Sequence, residues 1–145
     1  MTTEGHTLTA TDRSSGLKPN WFPPAAAAVG GFFFLGFGLW AMAGPESFFD
    51  AMAVFDPYNQ HFVQDIGAFQ IGLGAVLVLA RFAGSADALA VSLVGVGIGS
   101  LAHAVSHLMG SDLGGTPAVD IPTFLVIGLL LVAAGAVRWR EQSGA

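Results

Sequence analysis

Four side chains in this sequence have types and spacings that could do chemistry: His61 with Asp65, and His103 with His107. Each pair is separated by four positions, so on a helix both members of a pair lie along one face. Imidazoles joined by a carboxylate can make a tetrahedral or tetragonal site for Zn or Cu. His61, Asp65, His103 and His107 are therefore the candidate metal ligands, with Met42, Met52 and Met109 toward the same membrane side as soft partners for Cu(I). Haem is a second possibility, with His61 opposite His103 or His107 across the iron. A quinone headgroup hydrogen-bonded by histidine is a third. A plain structural role stands beside all three, in which an Asp65–His103 hydrogen bond fixes the register of two helices at ~0.6 kcal/mol.

The elements that must position these residues are apolar. Of 145 residues, 53% are hydrophobic and only 10% charged, against about 25% charged in a soluble domain. The chain has no cysteine, which excludes disulfides, thiolate metal sites and thiol catalysis. No basic cluster marks a nucleic-acid partner. The expected fold is all-α, an integral membrane four-helix bundle over residues 21–140, with spans at about 23–43, 60–80, 87–108 and 120–137. Residues 1–20 are expected to form a disordered cytoplasmic tail and 141–145 a second cytoplasmic tail. Trp21 and Trp40 suit the two ends of the first span.

The uncharged part of the second span, Ile66 to Ala80, has 15 residues. That is roughly 22 Å, short of a ~30 Å hydrocarbon core. The helix must begin earlier and carry His61 and Asp65 at the membrane boundary. Ser85 is the expected N-cap of the third span and Asp120 that of the fourth, at a height that also puts Asp120 near the polar cluster. Between spans one and two, Phe48, Met52 and Phe55 recur at helical spacing, with Glu46 and Asp50 on another face. That pattern predicts a short extracytoplasmic amphipathic helix.

Orientation follows from charge. Arg13, Lys18, Arg81, Arg138 and Arg140 all fall on one side of the four spans. The positive-inside rule makes that side cytoplasmic, which places both termini in the cytoplasm and the chain in the inner, or cell, membrane. With Gly84 as the midpoint of the connector between spans two and three, Asp65 and His103 are level, as are His61 and His107. Small residues at Gly67, Gly72, Gly95 and Gly99 are the expected packing seam between these helices.

The string Asn59-Gln-His61-Phe-Val-Gln-Asp65-Ile-Gly67-Ala68-Phe69-Gln-Ile-Gly72-Leu-Gly74, followed by His103-x-x-x-His107, resembles small four-helix membrane proteins of actinobacteria that are loosely DoxX-like. The resemblance is best over Asn59 to Met109. It implies a four-helix bundle, singles out His61, Asp65, Gly67, His103 and His107, and associates the group with redox complexes or membrane stress. The leading expectation is a small non-catalytic membrane protein, an accessory or binding subunit of a larger membrane complex or a homo-oligomer. The alternative is a small membrane oxidoreductase or metalloprotein that binds copper, zinc, haem or quinone at the His/Asp cluster.

Overall fold

A computed structural model describes residues 20–144. The expected disordered tail, except Asn20, lies outside the described residues, as do Arg13 and Lys18. Five helices follow in order: α1 (Phe22–Ala43), the short α2 (Pro45–Phe48), α3 (Gln60–Phe82), α4 (Ala86–Met109) and α5 (Pro117–Ser143). α2 continues directly into a π-helical turn at Phe49–Ala53. No strand occurs among the described residues. α1, α3, α4 and α5 are each long and apolar enough to cross a membrane, which fits a multi-pass membrane protein. Four crossings put both ends of the described chain at one end of the bundle, the terminal end; the opposite end carries α2.

Local chemistry sets the helix starts. The Asn59 side chain accepts from Phe62 N at 3.1 Å and the Ser85 hydroxyl accepts from Ala88 N at 3.2 Å, each capping its helix. α5 departs from the sequence expectation. It begins at Pro117, because proline is pre-organised for a first helical turn. Asp120 is therefore not the N-cap. It lies one turn inside, and its carboxylate reaches back to accept from Thr116 N at 2.8 Å.

Glycines decide which helices pair. A Cβ at Gly38 would lie 2.8 Å from the Gly67 carbonyl, and one at Gly74 would lie 2.9 Å from the Gly31 carbonyl, so α1 and α3 meet backbone to backbone. On α4 and α5, a Cβ at Gly97 would lie 2.9 Å from Val132 N and 3.0 Å from the Gly128 carbonyl. Small residues permit this approach, and dispersion across the close contact holds the pairs. The expected α3–α4 seam does not form. Gly67 packs on α1, while a Cβ at Gly72, Gly95 or Gly99 would meet nothing within 4 Å. α1/α3 and α4/α5 are the tight pairs, while α1–α5 and α3–α4 touch only sparingly.

The packed core fills the terminal half. Leu77, Leu93 and Leu131 are fully buried there among Ala26, Ala27, Phe34 and Ala134. Arg81 donates to the Pro24 carbonyl at 3.0 Å, and Asn20 donates to Glu141 at 2.7 Å, which stitches the helix ends together. A separate apolar cluster of Ala41, Phe48, Phe49 and Val63 secures the α2 end. The α1–α2 corner is fixed by Trp40, whose indole N–H donates to the Ser47 hydroxyl at 2.9 Å. That hydroxyl donates in turn to the Gly44 carbonyl at 2.8 Å.

Candidate functional site

Between the packed core and the α2 end lies a cavity of about 720 Å³, within the ~300–1,000 Å³ usual for small-molecule sites. Phe33 and Phe37 come from α1, Phe62, Ile66 and Gln70 from α3, His103, Ser106 and His107 from α4, and Asp120, Thr123 and Phe124 from α5. Phe48, Met52 and Phe55, the apolar face read from the sequence between the first two spans, also line it.

Loop backbone partly covers the α2 end of this cavity. Val54 ends the π turn in a left-handed conformation with φ 37°, and its carbonyl accepts from Gly115 N at 3.2 Å. Gly114 has φ +126°, and a Cβ there would lie 2.6 Å from the Val54 carbonyl. Only glycine suits both the conformation and the contact. The α4–α5 loop thus lies directly against the segment that follows α2 and forms a roof with it.

A chain of polar side chains runs along one wall. Asp120 is buried, with 6% of its surface exposed. Its Oδ2 lies 3.7 Å from His107 Nδ1, a close contact beyond hydrogen-bond distance. His107 Nε2 and His103 Nε2 are hydrogen-bonded at 3.0 Å. Phe124 backs the pair, with its ring stacked on His107 at 5.7 Å and meeting His103 edge-on at 4.2 Å. Two histidines one turn apart on α4 are thereby held against a carboxylate from α5. Deeper in, the Gln70 side-chain oxygen is buried without a hydrogen-bond partner. Gln70 lies ten positions into α3, about 15 Å along the helix.

The structure divides the four sequence candidates. His61 and Asp65 face each other on α3 at 3.6 Å, with side chains 87% and 54% exposed, and neither lines the cavity. Asp65 forms no ion pair or hydrogen bond with His103 among the described residues. The level pairing assumed that α3 and α4 pack along their length, whereas each packs on another helix. Nor do three His, Asp or Glu side chains gather closely enough among the described residues to hold a metal ion. Gln70 and Phe124 escaped the sequence reading, because a single Gln or Phe in an apolar span carries no spacing signal.

This division has a testable consequence. His61→Ala and Asp65→Ala should each leave stability within about 0.5 kcal/mol of the parent chain, as exposed substitutions do. Thermal unfolding in detergent checks this. A large loss in either variant would mean that the α3 pair is buried against something.

Comparison of the chain with protein-family models, with curated proteins and with solved structures found no match. The site is read from its own geometry.

Proposed function

We propose that the chain is a non-catalytic membrane binding protein whose cavity holds a lipid-soluble ring compound bearing hydroxyl groups, of the hydroquinone class. The observation that carries this reading is the buried Asp120 behind the His107–His103 pair on the wall of an aromatic-lined cavity. A carboxylate beside His107 Nδ1 favours the hydrogen on that nitrogen. His107 Nε2 then accepts from His103 Nε2–H, which leaves His103 Nδ1 as an acceptor. The unpartnered Gln70 oxygen is a second acceptor, and a buried acceptor gains most from a ligand that donates to it. The Ser106 and Thr123 hydroxyls can serve in either sense. Flat phenylalanine walls suit a ring, which they hold by offset or edge contacts.

The distribution of basic residues supports a cytoplasmic terminal end, with Arg81, Arg138 and Arg140 there and Glu46, Asp50 and Asp56 at the other. The cavity then lies in the outer leaflet of the cell membrane, and α2 on the extracytoplasmic side. In this reading the protein serves a larger membrane complex by holding the ligand, and the electron chemistry belongs to the partner.

The test compares a short-tailed naphthohydroquinone with its dimethyl ether, which has the same ring and no donor hydrogen. The hydroquinone should bind the purified protein at least tenfold more tightly, and His103→Ala should erase most of that difference. Equal affinities for the two compounds would refute the hydrogen-bonding role given to His103 and Gln70.

A further inference from the structure

We propose that the cavity is loaded sideways from the bilayer, through a portal between α3 and α4. This deepens the binding reading above, on which it rests for the nature of the cargo, by making the lipid phase the ligand's source. The glycine seams close α1 against α3 and α4 against α5, and between α1 and α5 the Phe33 ring meets Phe124 edge-on at 6.1 Å. The α2 end is partly covered, with the Val54 carbonyl bonded to Gly115 N and Gly114 pressed against Phe55, while Asp56, Leu113 and Val119 line the cavity there from exposed positions. The terminal half is filled by Leu77, Leu93 and Leu131. On the α3–α4 side the helices touch only sparingly, and that is the side flanked by lipid.

Residues on that side belong both to the cavity and to the outer surface. Phe62 lines the cavity and is 48% exposed, and His103 and Ser106 on α4 also line it while remaining exposed. His103 lies six positions before the end of α4 at Met109, roughly 9 Å inside the helix end. The opening thus runs from Phe62 and Ser106 near the helix ends down to His103, at whose depth it faces lipid tails rather than headgroups. A molecule using this route must dissolve in the bilayer, and its hydrocarbon tail can stay among the lipids while its ring occupies the polar wall.

The chain contains no cysteine, so a single introduced thiol reports access cleanly. Thr123→Cys places one inside the cavity on α5. In lipid vesicles it should react with pyrene maleimide dissolved in the bilayer at least tenfold faster, relative to a free-thiol standard, than with a sulfonated maleimide in the water. Adding Ser106→Trp, which fills the portal from an exposed position, should slow the lipid-borne reaction at least tenfold. If Thr123→Cys fails to fold, Ile66→Cys on the α3 wall gives the same readout. Equal or faster labelling from water, no labelling by either reagent, or a rate indifferent to Ser106→Trp would overturn the portal. Lipid-borne labelling of a protein that binds no hydroquinone would support the portal while ending the ligand assignment.

Discussion

Gly97→Ala is expected to destabilise the protein strongly, whereas Gly99→Ala, two positions on, leaves it as stable as before or slightly more so. At Gly97 the new methyl would lie 2.9 Å from the Val132 amide nitrogen and 3.0 Å from the Gly128 carbonyl, with Val132 Cγ2 at 2.8 Å. Two of those three neighbours are backbone atoms and cannot swing aside. α4 and α5 must separate along their whole close seam, so dispersion is lost well beyond one side chain. Overpacking of this kind costs about 1–3 kcal/mol, occasionally more, which is roughly 4–10 °C of melting temperature for a chain of this size. At Gly99 the methyl meets nothing within 4 Å. Alanine there gains up to about 1 kcal/mol of helix propensity over glycine. Parallel thermal unfolding of the two variants decides the matter, and equal losses would show that α4 packs on a different face.

The second large effect is expected at Asp120, which does two jobs with one carboxylate. It accepts from Thr116 N at the start of α5 and stands beside His107 Nδ1. Asp120→Ala removes both, leaving an amide at the helix start without its partner at about 1 kcal/mol or more. It also frees the tautomer of His107, and with it the donor–acceptor order of the His107–His103 pair. Hydroquinone binding should fall at least tenfold. Asp120→Asn separates the jobs. Its side-chain oxygen can still accept from Thr116 N, so stability should largely return. The negative charge that favours His107 Nδ1–H is gone, so binding should stay weak. Recovery of both properties in Asp120→Asn would reduce Asp120 to a helix cap.

Much of the architecture was legible in hydropathy, because a span that buries its backbone hydrogen bonds in lipid must be a long apolar helix. Ser85 was legible as a cap for a local reason, since its hydroxyl serves an amide three positions away. Partner choice was not. α4 carries glycines on opposite faces, Gly95 and Gly99 on one and Gly97 on the other, and spacing alone cannot tell which face meets a helix. The tight α3–α4 connector suggested that those two helices pair along their length, but it joins them only at one end. The same assumption set Asp65 level with His103, and it fails where the helices part to leave the cavity. His103 and His107 were recognisable because they lie one turn apart. Asp120 was assigned to a helix end at the height of the polar cluster, and its contact with His107 follows from α5 packing on α4. Height alone was legible; which helix α5 would pack against was not.

The most direct test of the account is an equilibrium titration of a short-tailed naphthohydroquinone into the protein in lipid nanodiscs, alongside His103→Ala, Asp120→Asn and His61→Ala. The account predicts one saturable site, at least tenfold weaker in His103→Ala and Asp120→Asn and unchanged in His61→Ala. Saturable binding that survives both cavity substitutions, or that vanishes only in His61→Ala, would contradict it and move the working site to the exposed face of α3.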